Sequence, residues 1–186
     1  MNAYPQAIRR LPLRRISKLV IYFVSATVVG WYLEIIWTYL RFHLYDPGFI
    51  ITQLAKPPLA EPYGLGAVAL IVIVIPMLQR YKLGLAATWA LNTLVTAAVE
   101  YISAVALVII FGHNTFWNYS IEPFNLNGYI SLETSLFFGI VATLFVYFAY
   151  PACERLLAHM SRKQIGVVTL VLGTLYIVAL VLFKRW

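Results

Sequence analysis

Hydrophobic residues run along this chain in five long blocks, separated by short polar or proline-rich segments. The blocks cover residues 19–40, 63–79, 84–112, 129–150 and 165–183. Each is long enough, or nearly so, to supply the roughly 20 apolar residues that a helix needs to cross a bilayer. None shows the strict alternation of apolar and polar residues that is typical of a transmembrane β-strand. The pattern therefore predicts an all-α, polytopic transmembrane helix bundle of about five spans.

The composition supports this prediction. Hydrophobic residues make up 62% of the 186 residues and charged residues 11%, whereas about a quarter of an ordinary soluble domain is charged. So few charged groups cannot cover a water-soluble globule, and we expect a single integral membrane domain over residues 1–186. The lone cysteine, Cys153, excludes an intrachain disulfide and any site with several cysteine ligands. Pro76, near the end of the second block, predicts a kink because proline removes a helix hydrogen bond.

Lysine and arginine are distributed unevenly around the blocks, and this bias predicts the orientation of the chain. With a cytoplasmic N-terminus, ten of the 14 basic residues lie inside: Arg9, Arg10, Arg14, Arg15, Lys18, Arg80, Lys82, Arg155, Arg162 and Lys163. The external side then holds Arg41, Lys56, Lys184 and Arg185. Because these residues flank the blocks, the net charge of +7 indicates that the basic N-terminus binds anionic lipid headgroups. Each basic residue near the membrane surface contributes about 1 kcal/mol to such binding. The net charge does not indicate a nucleic-acid partner.

Three carboxylates fall inside the predicted spans: Glu34, Glu100 and Glu133. A charged side chain at bilayer depth costs about 2.5–3.5 kcal/mol by insertion scales, so each acid needs a partner, a proton or a cavity. Glu34 and Glu100 both lie about 16 residues from the cytoplasmic ends of their blocks, roughly 24 Å from the inner face. Helical spacing places two polar stripes on neighbouring spans, Thr27, Trp31, Glu34 and Thr38 on the first and Thr93, Thr96, Glu100 and Ser103 on the third. We therefore expect Glu34 and Glu100 to face one another.

Two interpretations of these acids are open. In the functional one, they line an outward-facing polar cavity that binds a cation, a proton or a polar solute. In the structural one, protonated acids hydrogen-bond to neighbouring helices and hold the bundle together. No metal or cofactor is expected, because His43, His113 and His159 lack metal-ligand spacing and no phosphate loop or hydrolase motif is present.

The segment 113–128 is aromatic and rich in amide side chains, and it contains no lysine or arginine. Its rings are too apolar for a freely solvated loop, so we expect Trp117, Tyr119 and Phe124 to fold back over the bundle as a lid. The candidate solute-binding residues are therefore Trp31, Glu34, Glu100, Glu133, Trp117, Asn118, Tyr119, Asn125 and Asn127.

Several short motifs resemble one bacterial family, the putative ABC-transporter type IV family of small multi-pass membrane proteins. They are Gly30-Trp31 with Glu34 and Trp37, Pro62-Tyr63-Gly64-Leu65-Gly66-Ala67, Glu100-Tyr101, Phe116-Trp117-Asn118-Tyr119-Ser120 and Pro123-Phe124-Asn125-Leu126-Asn127-Gly128-Tyr129-Ile130. The resemblance covers residues 20–155 and leaves the last block outside. It implies a bacterial protein of the cytoplasmic membrane that acts in transport. An ABC role would require a separate ATPase subunit, because the chain has no nucleotide-binding domain.

The first hypothesis for function is a small membrane transport component, a permease or a solute-binding membrane subunit, that takes a polar or cationic solute into the outward-facing cavity. The second is a non-transporting scaffold or accessory subunit whose intramembrane acids are structural. An enzyme is not expected, because no nucleophile or metal constellation accompanies the acids.

The single thiol tests the predicted orientation. Cys153 follows the fourth block on its cytoplasmic side, so an impermeant maleimide should label it in inside-out vesicles and leave it unlabelled in intact cells. Labelling in intact cells would contradict the orientation that the basic residues predict.

Overall fold

The computed structural model describes residues 12–42, 52–114 and 117–183. Several residues used above lie outside these ranges, namely Arg9, Arg10, His43, Phe116, Lys184 and Arg185, and the side chain of Arg41 is not described. Five helices in the described residues are long and apolar enough to cross a membrane: α1 (Pro12–Phe42), α2 (Glu61–Tyr81), α3 (Leu85–Phe111), α4 (Leu132–Ala158) and α5 (Arg162–Phe183). They confirm the predicted all-α polytopic fold. The cytoplasmic N-terminus stays a prediction.

Both helices that contain an internal proline adopt a π-helical segment just before it. Leu70–Val74 of α2 precedes Pro76, and Phe145–Ala149 of α4 precedes Pro151. After each segment, a backbone amide bonds to the carbonyl five residues earlier. Proline has no amide hydrogen and crowds the carbonyl four residues before it, and the wider turn accommodates both effects. For this reason α4 continues through Pro151 to Ala158, past residue 150, where the apolar block ends.

The chain packs as two compact units. The α1–α5 unit consists of Arg10–Gly64 and Ser161–Trp186, and the α2–α4 unit is built on Leu65–Met160. A single domain over the whole chain stays a prediction.

In the α1–α5 unit, the two long helices pack against each other. The ring of Phe23 meets that of Tyr176 edge to face, with centroids 5.4 Å apart. The Thr169 hydroxyl lies 3.2 Å from the carbonyl oxygen of Ser17, and Ile165 is buried near the start of α5. Most other α5 side chains are exposed, as expected for a span that faces lipid over much of its surface.

In the α2–α4 unit, α3 and α4 run antiparallel along a face that is mainly polar. Thr88 Oγ1 lies 3.1 Å from Tyr147 Oη, and Asn92 Nδ2 donates to Thr143 Oγ1 at 3.0 Å. The second pair lies one turn further along α3 and one turn back along α4. Because the Thr88 hydroxyl already donates to the Gly84 carbonyl, Tyr147 is the donor in the first pair.

Steps of four residues continue both lines along their helices. They reach Thr96, Glu100 and Ala104 on α3 and Gly139, Ser135 and Ser131 on α4, and all of these except Thr96 are buried. We call this set the polar seam: Thr88, Asn92, Thr96, Glu100 and Ala104 with Ser131, Ser135, Gly139, Thr143 and Tyr147. The expected stripe of Thr96 and Glu100 is therefore part of a longer line on α3 that begins at Thr88 and is buried at every position except Thr96.

The polar seam requires a close approach of the two helices at Gly139. A Cβ atom added there would overlap the side-chain oxygen of Thr93 and lie 3.2 Å from its Cα. Only glycine allows the backbone of α4 to come this near to α3.

We predict that Gly139→Ala lowers the stability of the protein by about 1–3 kcal/mol, the usual cost of overpacking. Thermal unfolding in detergent measures the effect. Gly66→Ala is the matched control, since Gly66 is also a buried helical glycine but has open space where a Cβ would lie. Equal unfolding temperatures for the two variants would contradict a close contact at Gly139.

Candidate functional site

The centre of the candidate site is the carboxyl group of Glu100. Glu100 lies in the middle of α3, belongs to the polar seam and is 8% exposed. The hydroxyl of Tyr119, in the loop between α3 and α4, donates to its Oε1 atom at 3.0 Å. The loop therefore reaches a buried acid inside a membrane span.

A short hairpin holds this loop in shape. Strands β1 (Asn125–Leu126) and β2 (Ile130–Ser131) pair antiparallel, and the turn between them has positive φ angles of 55° at Asn127 and 70° at Gly128. Positive φ at two successive positions is the signature of the hairpin turns that favour Asn-Gly. A Cβ at Gly128 would also lie 3.2 Å from Asn118 Oδ1, so a larger residue there would require its neighbours to shift.

The three asparagines of the predicted cavity mouth are engaged within the α2–α4 unit. Asn118 Oδ1 accepts from the Ser120 amide at 2.9 Å, which forms a local turn. Asn125 donates to the Glu122 carbonyl at 2.7 Å and accepts from the Gly128 amide at 2.9 Å. Asn127 Nδ2 donates to the Tyr101 hydroxyl at 2.8 Å. In this state, Asn118 and Asn125 shape the loop, and Asn127 ties it to α3.

The aromatic residues of the loop follow the lid prediction only in part. Trp117 and Tyr119 are half-buried; the indole Nε1 of Trp117 donates to the Tyr129 carbonyl at 2.7 Å. The prediction was wrong for Phe124, whose side chain is 82% exposed. The loop thus packs onto α3 through its polar contacts and leaves its most apolar residues outside.

Glu34 forms a second tyrosine–carboxyl pair, within the α1–α5 unit. The Tyr63 hydroxyl donates to Glu34 Oε2 at 2.7 Å. The ring of Tyr63 packs directly over Gly30, one turn earlier on α1, and Trp31 is half-buried beside it. The Gly30-Trp31 and Pro62-Tyr63 motifs therefore meet at Glu34.

Glu133 has a different environment from the other two acids. It lies in the first turn of α4, after the N-cap Ser131, and its side chain is exposed. A carboxylate at this position interacts favourably with the helix dipole. The cavity that would join Glu34, Glu100 and Glu133 stays a prediction.

Three of the residues that complete these contacts were not singled out from the sequence. Tyr63 belongs to a motif of the family resemblance, and Asn92 and Tyr147 lie outside the sets predicted from the sequence. The recurrence of Thr88, Asn92, Thr96 and Glu100 at every fourth position was the available signal for the seam. Within the described residues, no group of three or more His, Cys, Asp or Glu side chains could hold a metal ion.

Five spans with buried carboxyl groups define a multi-pass integral membrane protein. Residues 21–183 match the family described as Putative ABC-transporter type IV, and the chain therefore belongs to that family. The match includes α5, which the resemblance found in the sequence left outside. No curated protein and no solved structure matches the chain.

We predict that Tyr119→Phe destabilises the loop, because it removes the hydrogen bond to a buried acid, which is worth about 1–3 kcal/mol. Amide exchange over residues 117–131 should become faster. Tyr129→Phe is the control, since it keeps the backbone carbonyl that Trp117 uses. Unchanged exchange in Tyr119→Phe would show that this bond does not hold the loop.

Proposed function

We propose that the chain is the permease component of an ABC-type transporter and that Glu100 binds a polar or cationic solute. The observation that carries the proposal is the hydrogen bond from Tyr119 to Glu100. It connects a loop at the ends of two spans to a buried carboxyl group, so that opening the loop breaks a hydrogen bond to the acid.

The chemistry of this pair suits a solute that carries a positive charge. A tyrosine hydroxyl donates a neutral hydrogen bond, whereas an ammonium or guanidinium group donates a charge-assisted bond that is roughly twice as strong. Such a solute competes with Tyr119 for Glu100, and it also offsets the cost of an ionised acid in the membrane. Tyr119 would then move away with the loop.

The polar seam offers a further acceptor on the same face of α3. Asn92 is fully buried, and its Oδ1 atom has no hydrogen-bond partner among the described residues. Asn92 lies eight residues from Glu100, or about 12 Å along a helix. A buried acceptor of this kind requires a donor or a cation, which supports passage of a polar solute along the seam.

Membership of this family indicates association with other transporter subunits, such as an ATPase. We propose that the ATPase docks at two segments on the predicted cytoplasmic side, 80–83 and 152–164, which contain the helix ends and the connections between them. Tyr81 and Leu156 lie there, with exposed apolar surface. Copurification of an ATPase from native membranes, lost on Leu156→Glu, would support this proposal.

The second candidate is an accessory subunit whose acids are structural. The side chains of Asn118 and Asn125 hydrogen-bond to the backbone of their own loop. This arrangement favours the accessory role, because these side-chain groups are then occupied and do not face a solute. The two candidate functions predict different effects on solute binding when the carboxyl group of Glu100 is replaced by an amide.

We predict that Glu100→Gln folds and inserts but loses solute binding, with affinity lower by about 10- to 100-fold for a charge-assisted bond worth 1.5–3 kcal/mol. The measurement is the rise in unfolding temperature of the protein in nanodiscs with a panel of monovalent cations, polyamines and basic amino acids. Glu34→Gln tests the second tyrosine-bonded acid in the same assay.

Glu133→Gln tests the third acid, which is exposed in the first turn of α4. Loss of binding in this variant as well would support the predicted three-acid cavity, whereas unchanged binding would restrict the site to the seam. If a solute stabilises the wild-type protein and Glu100→Gln equally, Glu100 is structural and the accessory role is favoured.

A further inference from the structure

The loop between α3 and α4 presents its apolar side chains outward and its polar ones inward. Ile121 is 93% exposed, Phe124 82% and Leu126 53%. Asn125, which lies between the last two, is turned toward the loop and bonds to its backbone. We call Ile121, Phe124 and Leu126 the apolar tip. A loop that faces water has the opposite arrangement.

The apolar tip is held in place by the backbone of the loop. The Tyr119 amide donates to the Gly128 carbonyl and the Glu122 amide to the Tyr119 carbonyl, both at 2.9 Å. Phe124 has a φ angle of 54°, a conformation that a bulky side chain rarely adopts. These bonds fix the ring of Phe124 on the outside and prevent it from folding under the loop.

The surroundings of the apolar tip indicate lipid as the contact. The loop begins after α3 ends at Phe111 and finishes at Ser131, directly before α4, so both of its ends are attached to membrane spans. The exposed side chains of Ile109 and Ile110 carry the lipid-facing surface of α3 to the base of the loop.

The composition of the loop also fits the interface of a bilayer. Residues 112–131 contain no lysine or arginine, and Trp117, Tyr119 and Tyr129 are of the aromatic types enriched at that depth. A hydrophobic tip with no basic residue partitions by its apolar surface and needs no anionic lipid.

We infer that the apolar tip inserts into the interfacial region of the lipid leaflet next to it and anchors the loop in the membrane. This inference does not depend on the proposed transport function, because it requires only the loop and the two spans that carry it.

The test uses single cysteines at positions 121 and 124 in a Cys153→Ser background, each labelled with an environment-sensitive fluorophore. The protein is placed in phosphatidylcholine nanodiscs, with and without lipids that carry a doxyl quencher near the headgroup. We expect blue-shifted emission and strong quenching for Ile121→Cys and Phe124→Cys. Ser120→Cys is the matched control, an exposed polar position in the same loop, and it should give water-like emission with weak quenching.

Two positions are used so that one poorly folded variant does not decide the outcome. Water-like emission without quenching at both 121 and 124 would overturn the inference. If the same probes were shielded only in native membranes, the tip would contact a protein partner, and the lipid assignment would be wrong. Equal quenching at all three positions would also overturn it, since the apolar tip would then not be distinguished from its neighbour.

Discussion

The α2–α4 unit depends on one constraint: polar groups on α3 must find partners inside the protein, because hydrocarbon offers none. Thr88, Asn92 and Glu100 lie on one face of α3, and at two of these positions the partner comes from α4 at the matching turn. That register requires small residues such as Gly139 where the helices come close. It also leaves Glu100 near the end of the seam, where the α3–α4 loop rather than α4 supplies the tyrosine that bonds to it.

The spans could be predicted from the sequence, because crossing a bilayer imposes a length and an apolar composition that a single segment reveals. The ends of α4 were harder to predict, since Pro151 suggests a stop and only the π-helical segment before it allows the helix to continue. The buried acids were also visible as charges inside apolar blocks. Their partners were not, because Tyr63 is 29 residues from Glu34 and Tyr119 is 19 from Glu100, and no local pattern specifies such pairings.

The loop shows where reasoning from hydrophobicity fails in a membrane protein. An aromatic side chain such as Phe124 was expected to bury itself against the helices, as it would in water. In a protein surrounded by lipid, apolar surface has a second favourable environment, and only the backbone decides between the two. The turn at Asn127-Gly128 and the positive φ of Phe124 direct the ring of Phe124 outward. This local backbone geometry cannot be predicted from the amount of apolar surface in the loop.

Glu34 and Glu100 each accept a hydrogen bond from a tyrosine, once in each unit. This choice of partner has a consequence for function. An arginine would neutralise the acid and form a bidentate pair that is costly to break. A tyrosine hydroxyl is neutral and does not neutralise the carboxyl group. Its single hydrogen bond also costs less free energy to break than a bidentate ion pair with arginine. A tyrosine bond can hold two parts of the chain together, and it can also be replaced when a charged donor reaches the acid. The same pair therefore fits a structural acid and an acid that binds a solute, and what distinguishes the two roles is whether a charged donor reaches the carboxyl group.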